Sequence, residues 1–516
     1  MKKFLSTGKK TLLLFFLICV TAFGIRYLRV TFEQQPIFGD EAIYVRWSQV
    51  MKAEPTLRFL PLSDGKQPFY MWILMFLLKP SLDPLIVGRL LSVVTGLGTF
   101  MGVFILSYLL FKSQKVSLIA ALIYAISPFL VFFDSMALTD SLLTMFGVWV
   151  AIFAILAARY VRADFAMLAG LALGAALLTK SPALYFAILL PVAAVFAPWP
   201  KHLAGKVVLT FKLGGLFLAA YSLAVVMYNI QRLGPNFQML ALRNSDYVYP
   251  LSHFLTSPLD PLKPFLNRSL EWLWIWGPST LVVLVFAGIF LNLKKYFKEV
   301  LVIAAWAFLP IFVSAEFAKV FTARYILFTL PFLSILAAAA FLSDKYKLFL
   351  KVFLLIFIVH ALLINWKLVT NITTAPIPRS ERSGYLEEWT SGYGIKDTAN
   401  YISAYHAKYP TDKIVVGTEG YFGTLPDGLQ IYLNKYPEIT VIGVGLDLTE
   451  VPKSLKESKA AGNTTFLVIN DSRLKAKPES IGLRVLAAYP KAFRQQNTVE
   501  YNLLGPRETL YLFEVK

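Results

Sequence analysis

The sequence predicts a polytopic α-helical membrane protein that ends in a soluble α/β domain, and three observations predict it. Of 516 residues, 57% are hydrophobic and only 16% are charged, a composition outside the range of ordinary soluble domains. Apolar runs near the roughly 20 residues needed to cross a bilayer recur along the first 370 positions. From Asn371 onward the composition turns mixed, and strand-like and helix-like stretches alternate.

The apolar runs fall at about 11–30, 85–111, 116–133, 139–158, 165–179, 182–197, 207–229, 273–292, 299–314, 322–342 and 348–368. That gives roughly eleven spans by the length criterion. Helices are expected because the alternation of membrane β-strands is missing. The first run follows a basic N-terminus and resembles a signal peptide, but it has no clear small-residue cleavage site, so a retained helix is expected.

Lys and Arg number 50 against 31 Asp and Glu. The excess sits in short loops between spans, where it reports membrane orientation and not nucleic-acid binding. With Lys2, Lys3, Lys9 and Lys10 on the cytoplasmic side, the loops "KSQK", "RYVRAD", "KHLAGK", "KKYFK" and "SDKYK" fall there too. This alternation holds only if "PFYMWILMFLL" (68–78) lies at the outer surface without crossing. Residues 31–84, 134–138, 230–272 and the C-terminal part are then extracytoplasmic.

The expected domains are a membrane domain over 1–369, with a large first outer loop at 31–84, and an extracytoplasmic α/β domain over 370–516. In the latter, "DKIVVGT", "EITVIGVG", "TTFLVIN" and "TLYLFEV" read as strands, and "DTANYISAYHAKY" and "PKSLKESKAAG" as helices. No Gly-rich loop follows a strand, so dinucleotide binding is unsupported. A single Cys excludes an intramolecular disulfide and Cys-based metal motifs.

Acids are scarce, which draws attention to Asp40 and Glu41 in "GDEAIY" of the first outer loop. A short interfacial helix capped by Asp40 is expected there, with Asp40, Tyr44 and Trp47 on one face. Asp134 and Asp140 flank the start of a later span; Asp134 reads as an interface cap and Asp140 as a site residue. Lys66, Lys180 and Arg324, the last beside Tyr325, supply cations on the same side. Carboxylates and cations at an apolar boundary suit a substrate with a phosphate head and a lipid tail.

The ordered segments "GDEAIY", "KQPFYMW", "GRLLSVVTGLGT", "ALTDSLLT", "GLALGAALLTKSPAL" and "ARYILFTLPFLSILAA" resemble the protein-mannosyltransferase and aminoarabinose-transferase type of glycosyltransferase, over roughly residues 12–345. The resemblance implies a GT-C fold and transfer of a sugar from a polyprenyl-phosphate carrier to a protein, glycan or lipid acceptor at the outer face of the plasma membrane. It implies that Asp40 and Asp140 are the catalytic carboxylates, Lys66 a phosphate-side lysine and Tyr325 a tyrosine of the late motif; the chemistry of displacing a phosphate ester makes Asp40 the expected base, and Glu41, Lys180 and Arg324 are expected to bind substrate. Gln67 stands where the family often has proline, and Gly65 where a Glu or His can precede the lysine; these departures weaken the case for the divalent metal of some relatives and leave it open. A lipid-linked sugar transporter is the alternative reading, but inverted repeats and midplane acids are missing from the sequence.

Overall fold

The structure, a computed structural model, describes residues 8–32 and 35–516. Lys2 and Lys3, on which part of the orientation reading rests, lie outside the described residues. The chain divides into two compact units. One comprises Met1–Glu33, Thr56–Trp72 and Arg89–Pro378; the other comprises Gln34–Pro55, Ile73–Gly88 and Arg379–Lys516. The last division falls between Pro378 and Arg379, nine residues beyond the expected 369/370, and residues 35–84 are divided between the two units.

The first unit is helical. Among the described residues, seven helices are long and apolar enough to cross a membrane, and a pair bent by 105°, Leu262–Ile275 with Ser279–Asn292, passes the same test only when its two arms are taken together. The other three expected spans are shorter apolar helices, Gln114–Ile126, Ala163–Thr179 and Ser181–Phe196. Local chemistry explains two of the interruptions. Pro278 follows the first arm of the bent pair, and Pro128 follows Ser127, where the expected 116–133 span divides into Gln114–Ile126 and Pro128–Phe133.

A break inside an apolar environment frees backbone carbonyls, which need other donors. Asn365 Nδ2 donates to Ile126 O at 2.7 Å, and Arg26 Nη1 donates to Ala125 O at 2.8 Å. The bend near Pro278 is filled by Trp276, whose ring lies 4.7 to 5.6 Å from Phe129, Phe132 and Phe133.

The second unit is built on a five-stranded sheet. Besides a two-stranded ribbon of β1 (Ile37–Phe38) and β2 (Ser391–Gly392), its strands are β3 (Ile414–Glu419), β4 (Ile439–Gly445), β5 (Thr464–Asn470), β6 (Leu483–Phe493) and β7 (Arg507–Val515). The sheet order is β4-β3-β5-β7-β6, with β3 parallel to both β4 and β5 and the other pairs antiparallel. Leu455, Leu467, Ile469 and Phe513 pack in a core on one face. On the Ile395–Lys408 helix, Tyr405 meets Phe466 edge-on at 5.6 Å. The sequence reading missed β6, an edge strand whose mixed burial and Pro490 blur the alternation that marks a strand.

The first-loop helix, Gly39–Ala53, is part of this unit. Its capping residue is Phe38 and not Asp40, because the side chain of Glu41 reaches back to accept from Phe38 N–H at 3.0 Å. Asp40 follows Gly39 in the first turn, half-buried. The expected helix packs against protein: Tyr44 and Trp47 are buried, Arg46 Nη1 donates to Asn434 Oδ1 at 2.5 Å, and Gln49 Nε2 donates to Ile431 O at 2.9 Å. β1 pairs with β2 at the start of the helix.

The carboxyl ends of β3 and β5 carry a charged cluster. Asn470 donates to both oxygens of Glu419 at 2.7 Å, and Arg494 bridges Glu388 and Glu508. Burial, reinforced by a hydrogen bond to Glu508, pushes the Asp471 carboxyl up to about 7. Burial also lowers the Lys491 ammonium to about 8 despite its acidic neighbours.

Candidate functional site

The site residues of the first unit meet where helices end and turns begin. Asp140 stands in the first turn of the Thr139–Tyr160 helix, where the helix dipole favours negative charge. Lys180 follows the Ala163–Thr179 helix in extended backbone. Its Nζ donates to Asp140 Oδ1 at 2.6 Å and lies 4.9 Å from the ring centre of Tyr325. The Arg324 guanidinium is 5.7 Å from the same ring. Four residues expected at the site are thus drawn into one cluster.

The Asp140–Lys180 pair is largely withdrawn from solvent, with side chains 3% and 19% exposed. Only one carboxylate oxygen is used by the lysine. Asp140 Oδ2 is buried and accepts no hydrogen bond from any described residue, so the pair leaves an acceptor for a hydroxyl or amino group of a bound molecule.

Lys66 is connected to this cluster through its neighbour. Gln67 Nε2 donates to Ser181 Oγ at 2.8 Å, which fastens the Lys66-Gln67-Pro68 segment to Lys180-Ser181-Pro182. Lys66 itself pairs with Asp64 at 3.0 Å, and Asp64 also receives Arg243 at 3.2 Å. Two cations share this carboxylate. The other partner of Arg243, Asp246, is half exposed and therefore partly screened. Gly65 makes the approach possible: its φ is +67°, and a Cβ there would lie 2.5 Å from Arg243 Cβ.

Sequence reasoning missed Arg243, which lies in a segment of mixed polarity without a distinguishing pattern. It also missed the partner of Asp134. That residue is no surface cap: Arg26 donates to its Oδ2 through Nε and Nη2 at 3.1 and 2.9 Å, Tyr124 OH donates to Oδ2 at 2.9 Å, and Ser141 Oγ donates to Oδ1 at 2.8 Å. All of it is buried. Two arginines inside the first apolar run, Arg26 and Arg29, were the available signal, since charge in a span requires a partner.

Asp40 and Glu41 belong to the second unit. There Glu41 is fully buried and serves the helix start described above. Among the described residues, no group of three or more His, Cys, Asp and Glu side chains could hold a metal ion.

Residues 65–228 match the family described as dolichyl-phosphate-mannose-protein mannosyltransferase. The match includes Lys66, Asp140 and Lys180 and stops short of Arg324 and Tyr325. Over almost its full length, the chain is similar in structure to ArnT from Cupriavidus metallidurans. With ArnT bound to undecaprenyl phosphate, the TM-score is 0.54 at 15% identity, covering 98% of both chains. With apo ArnT it is 0.52 at 14% identity, covering 96% of this chain and 97% of that one. No curated protein sequence matches the chain. The protein is therefore a multi-pass membrane protein with the GT-C fold seen in ArnT and a C-terminal α/β domain.

Proposed function

We propose that this protein is a glycosyltransferase of the extracytoplasmic face of the plasma membrane, moving a sugar from a polyprenyl-phosphate carrier to a hydroxyl of a protein, glycan or lipid acceptor. The observation that carries the reading is the Gln67–Ser181 contact, which joins a cationic subsite at Lys66 and Arg243 to an acid-bearing subsite at Asp140, Lys180 and Tyr325. A phosphosugar has the same two parts, an anionic leaving group and a hydroxylated ring.

In this reading Lys66 and Arg243 offset charge on the departing phosphate, with Arg324 as a further cation. Asp140, held by Lys180, receives sugar hydroxyls on Oδ2, and Tyr325 supplies a ring face. Asp40 takes the proton of the acceptor hydroxyl as its oxygen bonds to the anomeric carbon and the carbon–phosphate-oxygen bond breaks. One displacement inverts that carbon. Glu41 positions Asp40 by fixing the first turn of its helix. Phosphate is already a good leaving group, so no general acid is required.

The test uses full-length protein purified in detergent, incubated with radiolabelled polyprenyl-phosphate sugar and a membrane extract as the acceptor source. The expected result is a labelled glycoside from the wild type, and at least a hundredfold slower transfer by Asp40→Asn with an unchanged melting temperature. Ordinary turnover by that variant removes the base assignment, and absence of any labelled product from the wild type removes the reading.

A further inference from the structure

We infer that Glu316 is a further substrate-binding carboxylate, set to accept hydrogen bonds from hydroxyl or amino groups of the transferred sugar; the inference rests on the glycosyl-transfer reading above.

Glu316 is the penultimate residue of the Phe297–Phe317 helix and is only 6% exposed. Neither of its carboxylate oxygens accepts a hydrogen bond from any described residue. Three circumstances oppose a carboxylate there: it is withdrawn from water, no described residue donates to it or pairs with it, and it sits at the helix end where the dipole is negative. A residue that breaks several local rules without compensation within the fold is the kind retained for a ligand.

The surroundings indicate which ligand. Two residues earlier, Ser314 Oγ lies 2.9 Å from Tyr185 OH, and Tyr185 is five positions beyond Lys180. One residue later, Phe317 O accepts from Tyr249 N–H at 2.7 Å, and Lys319 N–H donates to Tyr247 O at 2.8 Å. Tyr247 closes the Met239–Tyr247 helix that carries Arg243. The chain then runs through Thr322, whose Oγ1 is another buried atom without a hydrogen bond to any described residue, into the turn bearing Arg324 and Tyr325. The end of this helix is thus tied to segments carrying both halves of the proposed site, and like Glu316, the Asp140 carboxylate that Lys180 holds keeps an unmatched acceptor. A sugar ring offers the complementary donors.

The test compares wild type, Glu316→Gln and Glu316→Ala, each as full-length protein in detergent, for binding of undecaprenyl phosphate alone, undecaprenyl-phosphoryl mannose and the same carrier with an aminated pentose. The expected result is unchanged affinity for the bare carrier and at least tenfold weaker binding of a sugar-linked carrier by Glu316→Ala. Glu316→Gln should retain part of the affinity for mannose but little of that for the aminated sugar, and it should melt no lower than wild type. Equal losses for bare and sugar-linked carriers, no loss at all, or a lowered melting temperature for Glu316→Gln would overturn the role of Glu316. A wild type that binds no sugar-linked carrier better than the bare lipid would overturn the glycosyl-transfer reading itself, and this inference with it.

Discussion

Lys180 and Asp140, forty positions apart in the chain, form a buried ion pair at 2.6 Å beneath which the ring of Tyr325 lies 4.9 Å from the ammonium. The lysine's charge is therefore committed mainly to the carboxylate and is a poor phosphate ligand. Lys180→Met leaves Asp140 buried without its cation. It should lower stability by about 3 kcal/mol and cut transfer more than donor-lipid binding, which a melting curve and a carrier-binding assay on the same preparation would separate.

Gln67 should act through position alone. Gln67→Ala removes the hydrogen bond to Ser181, with a stability cost of about 1 kcal/mol. Because Lys66 is the next residue, the expected kinetic effect is a raised KM for the lipid-linked donor with kcat changed less. A fall in kcat at unchanged KM would assign Gln67 a different role.

Arg26 and Asp134 are expected to matter for folding and not for chemistry. Arg26→Met leaves a buried carboxylate uncompensated and should cost about 3 to 5 kcal/mol, seen as poor yield of monodisperse protein. Adding Asp134→Asn removes that charge while keeping partners for Tyr124 and Ser141, and should restore much of the yield.

Legibility in the sequence followed the range of the interaction. The long apolar runs and the strands around Val416 and Phe466 are local patterns and could be read directly. Asp140, Lys180 and Arg324 could be picked out as charges beside apolar segments, but neither the Asp140–Lys180 pairing nor the Arg26–Asp134 pairing, 108 positions apart, leaves any periodic trace. Asp40 looked like the helix cap because Asp is a favoured capping residue. Glu41, three positions after Phe38, won that place through a side chain long enough to turn back.

The α/β unit should be least stable near neutral pH. Asp471 holds its proton up to about 7 in the folded state against an ordinary 3.8, so its contribution is complete below pH 4 and is lost as pH rises to about 7. The raised Glu419 carboxyl acts in the same direction. Lys491 is lowered to about 8 from 10.5, so stability returns only as pH climbs through that interval. Glu508, lowered, works the other way but only below its ordinary 4.5. Hydrogen exchange of peptides spanning 464–473 and 507–515, corrected for intrinsic rates, should show protection falling from pH 5 to 7, and Asp471→Asn should flatten that fall.

The helix bearing Asp40 is held by partners encoded nearly four hundred positions later, among them Ile431 and Asn434, while its starting ribbon needs Ser391 and Gly392. Cutting the chain after Pro378 would therefore strip away the scaffold of the proposed base along with the C-terminal region. By the same logic, grafting a foreign C-terminal half onto this membrane region could work only as a three-piece exchange that carries residues 35–55 and 73–88 with it.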